Sequence, residues 1–339
     1  MKRVKFFGKC ILAAAPAILL VAFTLLYPLC YMDEEYPAWL FEKKVVTGQE
    51  YDGESFDTVV IGDSGAMSSI IPSVLPGSVI NLAVGGATSI EMYYFLTEYL
   101  ENHDAPDTLI IMFAPFHYWH IDNFTTRTVY FKAIPAGKLC ELYKNARACG
   151  AESVIYDGII TDEISSRLGL PNKYLPAIYA ARFTGRYDEN AQAYRDLMRS
   201  YGHGSFGTQK ECYDMSYETS YEDMEINGDA KLITLYMQKI LRLCNEKGIH
   251  VRLLQPAVNN STFDNLSKHY YSSYRNYIKQ LADICDDIEY ESELRVYDGR
   301  YFSDTSHLNE SGALRFSGEI SEKGDNKEEE NAEHQQGNK

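Results

Sequence analysis

The residues best suited to chemistry in this sequence are one serine and an aspartate–histidine pair. Ser64 follows Gly62 and Asp63 at the end of an apolar run, where a helix is expected to begin. Asp304 and His307 stand three residues apart near the other end of the chain. A serine hydroxyl becomes a strong nucleophile when an imidazole takes its proton, and a carboxylate can orient that imidazole. The three residues therefore predict serine-nucleophile chemistry if the fold brings them together.

A structural interpretation competes with the chemical one. Ser64 could simply cap a helix, and Asp304 could cap the short helix expected after it. Neither fragment is specific by itself, so the choice depends on the elements that carry these residues.

Short apolar runs bounded by turns predict a parallel β-sheet that is buried on both faces. They occupy residues 58–61, 78–83, 108–113, 250–255 and 294–297. Segments with helical spacing accompany them at residues 89–102, 190–201, 229–247 and 269–283. This alternation predicts an α/β fold with a doubly wound, mostly parallel sheet of five strands.

The candidate residues all follow predicted strand ends. Ser64, Gly86, residues 114–120, Pro256 and residues 304–307 come after the first to the fifth strand in turn. Ligand sites of such sheets lie at the carboxyl edge of the strands. We therefore expect these segments to meet at one edge.

The N-terminal region predicts a single membrane anchor. Residues 11–31 form an uncharged, mostly apolar run of 21 residues, enough to cross a hydrocarbon core of roughly 30 Å. The flanking charges are Lys2, Arg3, Lys5 and Lys9 before it and Asp33, Glu34 and Glu35 after it. The basic flank predicts a cytoplasmic N-terminus and an extracytoplasmic remainder. A cleaved signal peptide is the alternative, although the run is long and no small-x-small site follows it.

The composition divides the rest of the chain. Residues 1–32 comprise the basic flank and the anchor, residues 33–55 a polar linker, and residues 56–317 the α/β domain. That domain carries a helical, Tyr-rich insertion at about residues 120–228. Residues 318–339 form an acidic tail, which we predict to be disordered.

Charge and motif content argue against several function classes. The chain has 48 Asp and Glu against 32 Lys and Arg, which disfavours sequence-independent nucleic-acid binding. No Gly-Lys-Ser/Thr follows Gly85 and Gly86, so nucleotide binding is not expected. His117, His120 and Asp122 could hold a metal ion, but no further ligand cluster accompanies them. We predict neither a metal nor another cofactor.

Three motifs resemble the SGNH (GDSL) hydrolase family. They are Gly62-Asp-Ser64 after the first strand, Asn81-Leu-Ala-Val-Gly-Gly86 after the second, and Asp304-Thr-Ser-His307-Leu-Asn309 near the end. The resemblance covers about residues 56–113 and 249–317, leaves the middle unmatched, and implies an SGNH/flavodoxin-like fold.

The resemblance also implies a role for each matched residue. Ser64 would be the nucleophile, His307 its base and Asp304 the partner that orients the base. The backbone N–H groups of Ser64 and Gly86 would be oxyanion donors. The family's third donor is an Asn in a Gly-x-Asn-Asp motif after the third strand, where this chain reads Ala114-Pro-Phe-His117. Either His117 or another polar group replaces it, or hydrolysis is weak and a special acceptor is used.

We expect four further residues to contact the substrate. Asp63 and Asn81 belong to the first two motifs, and Tyr118 and Trp119 would form an aromatic rim beside Ser64. The tyrosines of the insertion could add stacking surfaces for a glycan, although ordinary packing is the alternative.

The anchor and the ending His307-Leu-Asn-x-x-Gly312 narrow the resemblance. They are similar to membrane-anchored SGNH proteins that modify cell-surface polysaccharides alongside membrane-bound O-acyltransferases, and to D-alanine-transfer proteins of teichoic acid synthesis. This implies a membrane-tethered, extracytoplasmic acyltransferase or esterase that passes an acetyl or similar group from Ser64 to a cell-surface glycan. One alternative is a carbohydrate deacetylase. Another is a non-catalytic partner of an integral-membrane O-acyltransferase.

Overall fold

A parallel five-stranded sheet forms the centre of the computed structural model. The structure describes residues 13–19, 33–122, 124–129, 131–155, 185–213 and 226–321. The sheet strands are β1 (Thr58–Gly62), β2 (Val79–Asn81), β3 (Thr108–Met112), β4 (His250–Leu254) and β6 (Ile288–Tyr290). Two more strands, β5 (Ala257–Asn259) and β7 (Arg295–Tyr297), pair outside it.

The strand order explains where a site can form. The order in the sheet is β2-β1-β3-β4-β6, and all neighbouring strands are parallel. The chain goes outward from β1 to β2 and then returns past β1 to β3, so the winding direction reverses between β1 and β3. A crevice opens at the carboxyl edge at such a reversal. Ser64 follows β1 directly, beside the end of β3.

Helices cover this sheet and begin or end at identifiable residues. They are α1 (Tyr36–Val46), α2 (Ser64–Ser69), α3 (Ser89–Asn102), α4 (Ala136–Cys149), α5 (Glu152–Ile155), α6 (Gly185–Arg199), α7 (Gly228–Lys247), α8 (Asn260–Asn265), α9 (Lys268–Ala282) and α10 (residues 310–321). Thr88 and Glu91 form a capping box at the start of α3. Gly248 ends α7 in the left-handed conformation.

The predicted α/β class and parallel sheet are confirmed, and the arrangement is consistent with the predicted double winding. Four of the five predicted strands lie in the sheet, because most of their residues are apolar and buried; the exceptions in type are Thr58, Thr108, Asn81, His250 and Arg252.

The fifth predicted strand was wrong in its pairing. The strand β7, predicted as part of residues 294–297, pairs with β5 in a separate two-stranded sheet. The fifth place is taken by β6, which pairs with β4. The sequence of β6, Ile-Glu-Tyr, is partly exposed because β6 is an edge strand, so it lacks the apolar run on which the prediction relied.

The segment predicted as a polar linker is partly helical and packed. Helix α1 lies within residues 33–55 and buries Trp39, Phe41, Val45 and Val46 in the main core. It packs against α3 and α6. Its apolar residues lie among charged ones, so the segment is polar on average. The prediction of a linker relied on that average and therefore missed the helix.

The insertion and the tail also differ from expectation. Helix α4 was not predicted; with α5, α7 and part of α3 it encloses a second apolar cluster that includes Tyr94, Leu142 and Tyr236. Helix α10 continues to residue 321, past the predicted start of the tail at residue 318. Residues 318–321 stay ordered because α10 is held to the body, for example through Arg252 Nη2 and the Ile320 carbonyl at 3.0 Å.

The predicted anchor, residues 11–31, lies outside the described residues except for a helical piece at residues 13–19. Among the residues that the structure describes, no helix is long and apolar enough to cross a membrane. The tail beyond residue 321 also lies outside them.

A buried carboxyl on α1 makes the stability depend on pH. Glu42 is fully buried, and neither carboxyl oxygen has a hydrogen-bond partner within the described chain. Burial raises the pKa of Glu42 well above its ordinary value, although nearby Lys43 opposes the shift. Glu42 is therefore held as the neutral acid, and its ionisation opposes folding.

We predict that Glu42→Gln stabilises the protein relative to wild type by an amount that grows with pH. A pKa that is higher in the folded state contributes stability below the unfolded value near 4.3, and this contribution is lost as pH rises towards the folded value. The loss is about 1.4 kcal/mol per pH unit in that window. Urea unfolding in detergent from pH 5 to 8 measures it. Exposed Glu101→Gln on α3 is the control, and parallel pH profiles for all three proteins would contradict the prediction.

Candidate active site

The turn between β1 and α2 presents Ser64 at the carboxyl edge of the sheet. Asp63 precedes it with an extended backbone, and its Oδ1 accepts a hydrogen bond from Gly65 N at 2.8 Å. Ser64 is partly exposed, whereas the rest of α2 is buried. Within the described residues, the N–H groups of Ser64 and Gly86 donate no hydrogen bond. Both N–H groups are therefore unpaired within the described chain, and an oxyanion site needs such donors.

The Asp63 carboxylate ties the ends of two strands together. Besides Gly65, it accepts from Ala114 N at 2.7 Å and contacts His117 Nδ1 at 2.5 Å, both through Oδ2. Its complete burial opposes ionisation, but the hydrogen bond and charge of His117, with the two backbone donors, keep the pKa of Asp63 below its ordinary value. Asp63 is thus an ionised, fully bonded group that fixes the position of Ser64.

Asp304 and His307 form a second carboxylate–imidazole pair on a tight loop. The Nδ1 atom of His307 lies 2.8 Å from Oδ2 and 3.0 Å from Oδ1 of Asp304. Asp304 Oδ1 also accepts the backbone N–H groups of Ser306 and His307. Partial burial opposes ionisation of Asp304, yet His307 and these N–H groups lower the pKa of its carboxyl. The ionised carboxylate selects the tautomer with hydrogen on Nδ1, which leaves a lone pair on Nε2.

Phe206 connects this pair to Ser64. The Phe206 ring stacks on the His307 ring with centroids 4.6 Å apart and planes 21° apart. A Cβ built on Gly85 would lie 3.7 Å from the same Phe206 ring and 3.9 Å from Ser64 Cβ. The serine and the imidazole therefore lie near one small region of the sheet edge. Gly85 is the backbone position that this region shares with Phe206 and Ser64.

The hydrogen bond that a Ser64–His307 pair would make is not formed within the described residues. Within the described residues, Ser64 Oγ and His307 Nε2 are not bonded to each other or to any other group. Such bonds are often long in a protein without substrate and tighten when the substrate binds. The involvement of Ser64, Asp304 and His307 in one triad stays a prediction.

The loop that bears Phe206 is fastened to the Asp304 loop. The hydroxyl of Ser303 donates to the Phe206 carbonyl, and Ser303 N donates to the His307 carbonyl at 2.9 Å. Gly207 has φ +70°, and a Cβ there would lie 2.6 Å from the Ser303 carbonyl. Only glycine allows so close an approach of the two loops.

The structure gives the four expected substrate contacts other roles. Asp63, Asn81 and Tyr118 are fully buried, and Trp119 is 6% exposed. Asn81 Nδ2 donates to the carbonyls of Ala66 and Ile70, which holds α2 against β2. The Trp119 ring packs against the Tyr270 ring with centroids 5.4 Å apart. Their side chains have too little free surface to contact a glycan directly.

His117, expected as a replacement oxyanion donor, is bound by its Nδ1 to Asp63. The Nδ1 atom is therefore engaged within the protein, and only Nε2 is left to face a substrate. Within the described residues, the atoms nearest to the Gly85 and Gly86 positions belong to other side chains, which leaves the place of a third donor open to another group.

Three residues near the site carried no recognisable signal in the sequence. Phe206 and Arg127 belong to the insertion, and Glu35 belongs to the segment read as a linker. The glycines around Phe206 were the one available hint, because clustered glycines mark close backbone approach.

Comparisons with known proteins do not identify a family. No protein-family model matches the chain, and no curated protein matches it significantly.

We predict that Gly86→Ala lowers the free energy of unfolding by about 1–3 kcal/mol, because Gly86 has φ +71° and a Cβ there would meet the guanidinium of Arg127 at under 3.0 Å. Thermal unfolding measures it. The control is Gly137→Ala in α4, where a Cβ meets nothing within 4 Å and stability should be equal or higher. Equal melting temperatures for Gly86→Ala and wild type would disprove the prediction.

Proposed function

We propose that this protein is an SGNH-type serine acyltransferase or esterase, tethered to the membrane and acting outside the cytoplasm on a cell-envelope polysaccharide. The observation that carries the proposal is that Ser64 and the Asp304–His307 pair share neighbours, since Gly85 lies close to both Ser64 and Phe206, and Phe206 stacks on His307. The strand order 2-1-3-4 with a further edge strand supports an SGNH/flavodoxin-like fold.

The first half-reaction is formation of an acyl-serine. His307 Nε2 takes the proton of Ser64 Oγ while the oxygen attacks the carbonyl carbon of an ester. The negative charge moves to the former carbonyl oxygen, where the free N–H groups of Ser64 and Gly86 can stabilise it. The tetrahedral intermediate collapses, and the leaving alcohol takes the proton from His307. Ser64 is left as an ester.

The second half-reaction decides between transfer and hydrolysis. His307 takes a proton from the incoming hydroxyl, whose oxygen attacks the acyl carbon, and Ser64 leaves with the proton returned by His307. A glycan hydroxyl gives acyl transfer, and water gives hydrolysis. The resemblance to polysaccharide-modifying SGNH proteins favours an O-acetyl or related group with a cell-surface glycan as acceptor. A membrane-bound O-acyltransferase would be the partner that supplies the acyl group.

The alternatives remain a deacetylase, which lacks the glycan step, and a non-catalytic partner of such an acyltransferase. The hydrogen bonds between Asp304 and His307 argue for catalysis. A purely structural loop does not require an oriented imidazole whose Nε2 has no partner in the described chain.

We predict that Ser64→Ala and His307→Ala each lower kcat for a chromogenic acetyl ester by about 10⁴- to 10⁶-fold, since members of a triad act as a unit. Melting temperatures should stay near the wild-type value. A fluorophosphonate probe should label wild type and not Ser64→Ala. Exposed His120→Ala is the control and should keep full activity. Retained turnover in Ser64→Ala would refute the enzyme proposal, and retained turnover in His307→Ala would transfer the role of base to His117.

We predict that an acetylated oligosaccharide acceptor forms when the enzyme turns over the acetyl ester in the presence of a cell-envelope glycan fragment. The acceptor competes with water for acyl-Ser64, so free acetate should fall as the acetylated glycan rises. Mass spectrometry and acetate release measure both products. The Ser64→Ala protein with the same glycan is the control. An unchanged acetate yield without acetylated glycan would support the deacetylase instead.

A further inference from the structure

The guanidinium of Arg127 lies against the loop that carries the second oxyanion donor. A Cβ built on Gly86 would be under 3.0 Å from Arg127 Nη1 and 3.0 Å from its Cζ. Glycine is thus the only residue type that permits this close approach at position 86, where φ is +71°. The positive group therefore packs against the Cα of Gly86.

Glu35 fixes the plane of this guanidinium. Arg127 Nε and Nη2 donate to the two carboxylate oxygens of Glu35, each at 2.7 Å, in a bidentate pair. Burial disfavours the charged form of Arg127, but the hydrogen bonds and charge of Glu35, with Asp122, raise its pKa above the usual value. Arg127 is therefore a permanently charged group with a set orientation.

The segment that carries Arg127 is also attached to α3, the helix that follows the Gly86 loop. Thr128 Oγ1 donates to Glu91 Oε1 at 2.5 Å. The other oxygen of Glu91 accepts the backbone N–H of Thr88 at 2.8 Å in the capping box. The Gly86 loop and the Arg127 segment are thereby both attached to the start of α3. This attachment restricts the movement of the guanidinium relative to Gly86.

One amino group of Arg127 is held less firmly than the rest of the guanidinium. Nη1 donates no hydrogen bond within the described residues and forms only a longer ion pair, at 3.5 Å, with the partly exposed Asp122. The fork that would bind a substrate carboxylate or phosphate is already occupied by Glu35. A single oriented N–H group suits one oxygen that gains charge during the reaction.

We propose that Arg127 Nη1 is the third oxyanion donor of this site, in the role that related hydrolases give to an asparagine, and that Glu35 is its positioning residue. The inference rests on the proposed acyl-serine chemistry. Arg127 Nη1 would donate to the oxygen of the tetrahedral intermediate on Ser64, together with the N–H groups of Ser64 and Gly86. His117 is less suited because its imidazole is bound to Asp63 through Nδ1.

The test uses the full-length protein in detergent and a neutral chromogenic acetyl ester, with kcat and KM measured separately. Arg127→Met keeps the bulk of the stem and removes the donors. We expect kcat to fall about 10²- to 10³-fold with KM within about twofold of wild type. Glu35→Gln should lower kcat by less, roughly tenfold, because Arg127 stays present but is less firmly oriented.

The matched control is Arg186→Met. Arg186 Nη1 pairs with Glu34, the neighbour of Glu35, at 2.9 Å, and the three atoms nearest to a Cβ on Gly86 all belong to Arg127, so kcat should not change. Melting temperature and the circular dichroism spectrum check that each variant is folded.

The outcomes separate this inference from the proposed function. An unchanged kcat in Arg127→Met, or a fall no larger than in Arg186→Met, overturns the donor role while Ser64-dependent activity of wild type still supports the enzyme. A raised KM with unchanged kcat assigns Arg127 to substrate binding and also overturns the donor role. Absence of any Ser64-dependent turnover in wild type overturns both proposals.

Discussion

The buried carboxylate of Asp63 is the constraint on which the site depends. It is the only charged group of the β1–α2 turn, and it is fully removed from water. Such a group is tolerated only when its oxygens are satisfied, here by Gly65 N, Ala114 N and His117. Those bonds lock the turn that presents Ser64 to the end of β3. Any movement of the serine along the sheet edge would break at least one of them.

The opposite wall of the site is built by different means. The Asp304–His307 loop is closed by a short antiparallel bridge between Phe302 and Leu308 and by backbone bonds from Ser303. The His307 ring stacks on Phe206, a residue of the insertion that also lies close to Gly85. The insertion is therefore a structural part of the site, because removing it would leave His307 without its stacking partner.

Helices and strands could be predicted from the sequence where local residue spacing determines them. Strands β1 to β4 and helices α3, α7 and α9 could be located from periodicity, because an element that buries one or both faces has its apolar residues at regular spacing. Helix α1 could not, because its buried face emerges only when α3 and α6 pack against it. The pairing of β6 and β7 was missed for a similar reason, since short edge strands are defined by their neighbours rather than by their own composition.

The sequence alone determined the fold class, the strand-end position of Ser64 and the spacing that lets Asp304 hold His307, because these follow from local periodicity and a separation of three residues. Tertiary structure alone decided that Asp63, Asn81 and Tyr118 are buried supports. It also placed Phe206 close to Gly85 and Ser64, and the Arg127–Glu35 pair against Gly86. These placements come from contacts between residues far apart in the chain. Patterns over a few neighbouring residues do not specify such contacts.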